Sequence, residues 1–245
     1  MAKVGFLGTG AIAAAMVKGL SGQGHQILVS ERSHNTATEL SDAFEEVSVA
    51  PNDAVVANSD ILILCLMADT ARAVLPNLPF RADQSVLSVM ADVPLADLAD
   101  LCAPATNFAI FIPLPFIATG SCPLPVTPES LVLEELFGSK NIIIPCRDEK
   151  ALNAHFAACS LASVTFAQMQ ETASWLAQHT GDANGAEAYI KALLGGYIPQ
   201  IETLASAIAD LNTEGGFNQT LRLHMDPARG QLKDGLDQFA PRLGL

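Results

Sequence analysis

Two glycines and an alanine near the start of the sequence have the spacing of a phosphate-binding loop. The stretch KVGFLGTGAIAAAMVKGL contains Gly8-x-Gly10-x-x-Ala13 directly after an apolar strand and at the start of a helical pattern. The first glycine allows a tight turn, the second lets the backbone approach a pyrophosphate, and the alanine lets the helix pack closely on the strand. Backbone amides at the helix start then point at the phosphates. We therefore predict that a dinucleotide binds to Gly8, Thr9, Gly10, Ala11 and Ile12.

The second predicted strand ends in LVSERS, where the adenosine ribose of a dinucleotide is expected. Glu31 is the type of residue that binds the ribose 2′-hydroxyl of NAD about 20 residues after the glycine motif. Ser30 and Arg32 flank it, and a serine–arginine pair can hold the 2′-phosphate of NADP. The two signals conflict, so NADP and NAD both stay open as cofactors, with NADP preferred because of Arg32.

The composition is that of a globular protein without strong affinity for polyanions. Half of the 245 residues are hydrophobic and 16% are charged, which excludes a disordered chain. The net charge of −13 disfavours a nucleic-acid or anionic-membrane partner. The five scattered cysteines contain no C-x-x-C pair, which favours reduced thiols over a zinc site. Because the sequence shows neither a signal peptide nor a membrane-spanning apolar run, we expect a cytoplasmic protein.

Short apolar runs alternate with helical patterns over the first 146 residues. The predicted strands are Val4–Leu7, Gln26–Val29, Val47–Val49, Asp60–Leu66, Ser85–Met90, Asn107–Ile112 and Asn141–Cys146. The predicted helices between them are Ile12–Leu20, Thr36–Phe44, Thr70–Leu75 and Leu95–Cys102. This alternation predicts an α/β fold of the Rossmann type, with a doubly wound, mostly parallel sheet and helices on both faces.

After Cys146 the patterns are helical only. We predict helices over Ala151–Thr180 and Gly185–Asp210, the second kinked or broken near Pro199, and a third helix after Gly216. The predicted domains are therefore an NAD(P)-binding domain at 1–147 and an all-helical domain at 148–245. We expect the apolar surface of the helical domain to form a homodimer or higher homo-oligomer, the alternative being that it packs on the sheet domain of its own chain.

Four segments, in this order, resemble the pyrroline-5-carboxylate reductases. GFLGTGAIAAAMVKGL is similar to the opening of that family, and NSDILILCLMAD is similar to its strand ending in Val-Lys-Pro. SVLSVMADVPLADL resembles its Ser-x-x-Ala-Gly segment, and LNTEGGFNQTLRLHM resembles its Ser-Pro-Gly-Gly-Thr-Thr helix start. The family joins a Rossmann domain to a helical dimerisation domain and reduces a cyclic imine to proline with NAD(P)H. The resemblance thus implies pyrroline-5-carboxylate reduction and a place in proline biosynthesis.

The resemblance also assigns residues to the two ligands. The further cofactor contacts that it implies are Asn52, Cys65, Leu66, Met67, Ala68, Met90 and Ala91, all after predicted strands, where ligands of parallel sheets bind. The substrate contacts that it implies are Pro113, Leu114, Gly215, Gly216, Phe217 and Asn218. No catalytic residue is identified, because hydride transfer to a protonated C=N bond needs mainly positioning.

Several substrate-side segments depart from the family's motifs. Val-Lys-Pro is replaced by Leu66–Ala68, Met-Pro-Asn-Thr-Pro by Ile112–Phe116, and Pro-Gly-Gly-Thr-Thr by Glu214–Asn218. Free amides at the last of these segments could hold a substrate carboxylate, which Glu214 would repel. In the alternative interpretation, Glu214 is a first-turn acid of a helix capped by Asn212 or Thr213.

Three other functions compete with imine reduction. The altered segments are compatible with a reductase of another small substrate, or with an NAD(P)-binding regulatory protein that has lost catalysis. A hydroxyacid dehydrogenase of similar build would carry asparagine four residues after a helix lysine. Here Lys191 is followed by Gly195 at that spacing, which disfavours this third function.

Overall fold

The computed structural model describes all 245 residues and divides into two compact units, Met1–Phe156 and Ala157–Leu243. The first unit contains every strand, and the second contains helices only. The division falls within a helix, C-terminal to the boundary predicted at Arg147. None of the helices combines the length and the apolarity that a membrane span requires.

The first unit is a single eight-stranded sheet covered by helices. Its strands are β1 (Lys3–Leu7), β2 (Gln26–Ser30), β3 (Val47–Ala50), β4 (Ile61–Leu64), β5 (Ser85–Ser88), β6 (Asn107–Phe111), β7 (Pro123–Thr127) and β8 (Ile142–Pro145). Its helices are α1 (Ala11–Leu20), α2 (His34–Ala43), α3 (Asn52–Asn58), α4 (Ala68–Val74), α5 (Leu95–Leu101), α6 (Leu131–Phe137) and α7 (Glu149–Cys159), the last of which crosses the division. The predicted Rossmann-type sheet is confirmed.

The strand order places a ligand crevice beside the first strand. The order is β3-β2-β1-β4-β5-β6-β7-β8, and all neighbours are parallel except the antiparallel pair β6–β7. The chain therefore proceeds from β1 in one direction to β3 and then restarts at β4 on the other side. At such a switch point the loops after β1 and β4 separate, and ligands bind at the carboxyl ends of the strands.

Burial on both faces explains why the central strands are continuous apolar runs. All four residues of β4 are buried, as are Val4 to Leu7 of β1. Phe111 of β6 and Phe137 of α6 are almost fully buried, with ring centroids 6.2 Å apart in the core. This core holds the carboxyl edge of the sheet in place.

Three elements of the first unit were not predicted from the sequence. Strand β7 reads Pro-Leu-Pro-Val-Thr, and two prolines usually argue against a strand because they cannot donate to the ladder. Pro125 takes part through its carbonyl oxygen, which accepts the amide of Ile112 at 3.0 Å. Helices α3 and α6 were also not predicted, although α4 and α5, which have the same length of seven residues, were.

The second unit consists of α8 (Leu161–Thr180), α9 (Ala183–Tyr197), α10 (Leu204–Asp210), α11 (Phe217–His224), α12 (Asp226–Asp237) and α13 (Ala240–Leu243). Helix α8 ends at Gly181, whose φ of 73° suits glycine, and the predicted break near Pro199 is a short 3-10 turn at Ile198–Gln200. The helix predicted over Ala151–Thr180 is wrong as one element, because α7 and α8 are separated at Ser160. There the serine hydroxyl donates to Ala157 O at 2.7 Å and competes with the helical ladder.

Candidate functional site

The predicted cofactor residues lie at one edge of the sheet in the first unit. Each is at the carboxyl end of one of the strands β1 to β5, or in the loop or helix start that follows. Asn52, predicted after the third strand, is the first residue of α3. The structure thus brings these residues to the edge at which parallel sheets bind ligands.

Gly8 forms a turn that only glycine can make. Its φ is +91°, a left-handed conformation that side chains rarely adopt. A Cβ at this position would clash with the backbone carbonyl oxygen of Cys65, in the loop after β4. The Gly8 amide donates to Ser30 Oγ at 2.9 Å. The glycine motif is therefore tied to the ends of both neighbouring strands.

Thr9 and Ser30 hold this loop in place through hydrogen bonds. Thr9 is fully buried, and its hydroxyl donates to the carbonyl oxygen of Ser30 at 2.7 Å. Ser30 is 1% exposed, and its own hydroxyl accepts the Gly8 amide. The contact with a 2′-phosphate that we predicted for the Ser30 side chain does not fit this burial. Ser30 instead positions the loop that would receive the pyrophosphate.

The start of α1 is open. Gly10 is the N-cap residue, it is exposed, and no atom lies within 4 Å of the position that a Cβ would take. The first amide to bond back into the helix is that of Ala14, which donates to Gly10 O at 2.9 Å. The amides of Ala11 and Ile12 precede it and have no partner within the helix. These amides and the helix dipole favour an anion in the open space.

Arg32 reaches across the first strand. Its Nη1 donates to Thr70 Oγ1 at 3.5 Å, and Thr70 lies in α4, after β4. Since β1 lies between β2 and β4 in the sheet, this side chain spans the end of β1. Arg32 makes no ion pair, and the adjacent Glu31 is exposed. Thr70 was missed because a lone threonine in a helix start carries no sequence signal.

The Arg32→Ala variant should weaken NADPH binding about 10- to 100-fold, the value of a charge-assisted hydrogen bond. NADH binding should change little, because NADH has no 2′-phosphate. Fluorescence titration with both cofactors measures the two Kd values. Arg147→Ala is a matched control, since Arg147 is 79% exposed and pairs only with its neighbour Asp148. Equal losses for NADPH and NADH would show that Arg32 does not recognise the 2′-phosphate.

The other half of the edge, after β4, β5 and β6, is apolar. Burial raises the pKa of the Cys65 thiol to about 12, so this group is neutral at physiological pH. Met67 is 78% exposed, whereas Met90 is buried and its amide donates to Ser88 Oγ at 3.2 Å. Ser88 was not predicted; it fixes the loop that holds Met90 and Ala91.

The predicted substrate residues of the first unit follow β6. Pro113 is buried and Leu114 is half-buried, and both precede a 3-10 turn at Pro115–Ala118. Phe116 in that turn is 46% exposed. No group of three His, Cys, Asp or Glu side chains in the structure could hold a metal ion. This part of the edge can enclose an apolar group but offers no charge.

In the second unit, the glycine pair forms the turn before α11. Gly215 has a φ of +70°, and its amide donates to Gln219 Oε1 at 2.9 Å. The Gly216 amide donates to Thr213 O at 3.0 Å. Both glycine amides are therefore engaged, and the first helix amides without a backbone partner are those of Phe217 and Asn218. Phe217 is 97% exposed, and Asn218 is exposed beside it.

The helix predicted after Gly216 is confirmed, whereas the cap of the alternative interpretation is wrong. Gly216 is the N-cap, in place of Asn212 or Thr213, and α11 has no acid in its first turn. Glu214 precedes the cap and is exposed, so it is not the first-turn acid of the alternative interpretation. Asn212 instead accepts a hydrogen bond from Arg222 Nη2 at 2.7 Å. The error arose because a glycine N-cap lacks the side-chain signature of serine or asparagine caps.

Comparison with known proteins supports a dinucleotide-binding first unit. Residues 3–92, from β1 through the loop after β5, match a family model described as NADP oxidoreductase, coenzyme F420-dependent. No protein of curated function is significantly similar to the chain in sequence. The match contains the glycine motif, Arg32 and the loops after β4 and β5, and it supports NAD(P) as the cofactor.

Solved structures of similar fold cover most or all of the chain. The 1-pyrroline-5-carboxylate reductase of Streptococcus pyogenes has a TM-score of 0.83 at 17% identity, over 100% of this chain and 99% of that one. The pyrroline carboxylate reductase of Plasmodium falciparum, solved with NADP bound, has a TM-score of 0.81 at 12% identity, over 97% and 95%. A reductive aminase of Aspergillus terreus, solved with NADPH and ethyl-5-oxohexanoate, has a TM-score of 0.63 at 20% identity, over 88% and 78%. The chain therefore has the fold of the pyrroline-5-carboxylate reductases, as the sequence resemblance predicts.

Proposed function

We propose that the protein is an NADPH-dependent reductase of a small cyclic imine, with pyrroline-5-carboxylate as the reference substrate. The observation that carries this proposal is the open, unclashed helix start at Gly10 beside the strained turn at Gly8. Together they supply space, free amides and a helix dipole for a pyrophosphate. Arg32, which makes no ion pair, supports NADPH over NADH.

The apolar half of the edge supports reduction of a C=N bond rather than a C=O bond. Bound NADPH would supply a hydride. Addition of hydride to a protonated C=N bond yields a neutral amine, so this step needs no proton donor. Reduction of a carbonyl leaves an alkoxide that must be protonated. In the first unit, the only titratable side chain of the loops 65–68, 89–91 and 112–116 is Cys65, and its high pKa makes it a poor acid.

A second candidate is an NAD(P)-binding protein without reductase activity. It is supported by the replaced substrate-side residues, among them Met67, Phe116 and Phe217, and by the engagement of both glycine amides before α11. Such a protein would bind NADPH through the same glycine motif. It would differ from a reductase only in that it does not oxidise the bound NADPH.

We propose that the second unit forms a homodimer or higher homo-oligomer in the cytoplasm. The support is its exposed apolar side chains, which include Phe166 at 64%, Trp175 at 60% and Leu204 at 75% exposure. We also propose that the domain boundary lies near residue 147.

The deciding experiment combines NADPH binding with turnover. We expect purified protein to bind NADPH and, with pyrroline-5-carboxylate or 1-pyrroline, to oxidise it, seen as loss of absorbance at the dihydronicotinamide band. The same assay with NADH should be slower. Binding of NADPH without oxidation by any cyclic imine would reject the reductase and favour the second candidate. Absence of NADPH binding would reject both.

A further inference from the structure

The carboxyl edge of the sheet has two chemically different halves. The half over β1 and β2 carries Thr9, Ser30 and Arg32, together with the free amides of α1. We call the other half, formed by residues 65–68, 89–91 and 112–116 after β4, β5 and β6, the apolar edge. Its sequences, Cys-Leu-Met-Ala, Val-Met-Ala and Ile-Pro-Leu-Pro-Phe, contain no charged, amide or hydroxyl side chain. A phosphate-bearing cofactor fits the first half, which leaves the apolar edge for the reacting groups.

Two large side chains of the apolar edge are exposed. Met67 is 78% exposed and Phe116 is 46% exposed, whereas Met90 and Pro113 between them in the sequence are buried. Apolar side chains that protrude at a ligand-binding edge can gain free energy when a ligand covers them. A methionine can also adjust its shape to an irregular apolar group.

The charges beside the apolar edge are unsuited to a carboxylate. The nearest charged residues along the chain are the acids Asp69 and Asp92. The nearest arginine along the chain, Arg72, is paired with Asp97 at 3.1 Å and also donates to the Asp92 carbonyl oxygen at 3.3 Å. Arg32 reaches Thr70 Oγ1 at 3.5 Å, but the proposed function assigns this cation to the 2′-phosphate of the cofactor. Acids attract a protonated imine and repel a carboxylate, and the net charge of −13 acts in the same sense.

From these three observations we propose that the enzyme prefers cyclic imines with an apolar substituent to cyclic imines with a carboxylate. Met67 and Phe116 contact the substituent. This inference rests on the proposed function, since it names the substrate class of that same site.

The test compares two substrates under NADPH. In the wild type, kcat/KM for 2-phenyl-1-pyrroline should exceed that for pyrroline-5-carboxylate by about tenfold or more, as expected for an apolar group in an apolar site. Phe116→Ser should lower this ratio about tenfold by removing apolar contact. Met67→Lys should lower it as well, because it adds a cation that attracts the carboxylate. Met67 is so exposed that this second variant is expected to fold normally.

Leu131 provides the control. It is 89% exposed and begins α6 after β7, whose antiparallel direction places it at the opposite edge of the sheet. Leu131→Ser and Leu131→Lys should therefore leave the ratio unchanged.

The possible failures are distinct. A wild-type kcat/KM for pyrroline-5-carboxylate equal to or above that for the phenyl imine overturns this inference and leaves the proposed function standing. An apolar preference that neither Phe116→Ser nor Met67→Lys alters overturns the assignment to this edge. If NADPH binds but no imine is reduced, the proposed function fails, and the inference fails with it.

Discussion

Replacing Gly8 by alanine is expected to weaken NADPH binding strongly and to destabilise the first unit. The φ of +91° costs a side chain about 1–2 kcal/mol. The added Cβ would also collide with the carbonyl oxygen of Cys65, a backbone atom that cannot rotate away. Overpacking of this kind costs about 1–3 kcal/mol more. Urea unfolding should show the loss of stability, and titration should show NADPH binding weakened on the order of 100-fold or more, since the turn that positions the phosphate loop must shift.

The Gly22→Ala variant separates the cost of a positive φ from the cost of a clash. Gly22 also has a positive φ, +76°, but no atom lies within 4 Å of its Cβ position. It lies after α1, away from the carboxyl edge. This variant should therefore lose only the part of the unfolding free energy that a side chain at positive φ costs, and it should bind NADPH as the wild type does. NADPH binding by Gly8→Ala at wild-type strength would show that the turn does not position the cofactor.

The first unit could be predicted from the sequence because its signals are local. The motif at Gly8 and Gly10 specifies a strand, a turn and a helix within a few residues, and the buried run of β4 specifies a central strand. Strand β7 could not be predicted, because its two prolines lack the amide donors of an ordinary strand. Its partner β6 is separated from it by residues 112–122, whose sequence is irregular. That antiparallel addition depends on tertiary pairing rather than on local preference.

The candidate site was predicted at the level of positions rather than contacts. Motif spacing located Ser30 and Arg32. Only the structure shows that the Ser30 hydroxyl accepts a hydrogen bond from the Gly8 amide and that Arg32 donates one to Thr70. Spacing likewise located the glycine pair before α11. It did not reveal Gln219, whose side chain accepts the Gly215 amide. Hydrogen bonds between residues of unremarkable type leave no pattern in a single sequence.

Gly10→Val is expected to weaken NADPH binding strongly while leaving the fold intact. The Gly10 backbone is extended, with φ −86° and ψ −172°, a conformation that valine adopts readily. No protein atom beyond the two neighbouring residues lies within 4 Å of its Cβ position, so the added Cβ meets none of them. It would instead fill the space in front of the Ala11 and Ile12 amides, where the pyrophosphate is expected. We expect NADPH binding to fall on the order of 100-fold, with a stability change of about 1 kcal/mol or less, the usual cost of altering an N-cap.

Gly10→Ala should give an intermediate loss of binding, because the effect depends on the volume that enters the phosphate space. The measurements are NADPH titration and urea unfolding of both variants. Unchanged binding by Gly10→Val would mean that no phosphate approaches this backbone, and the proposed cofactor site would be wrong. Comparison with Gly8→Ala makes the result specific. At Gly8 the added carbon meets the protein and both properties should fall, whereas at Gly10 it meets only the ligand and binding alone should fall.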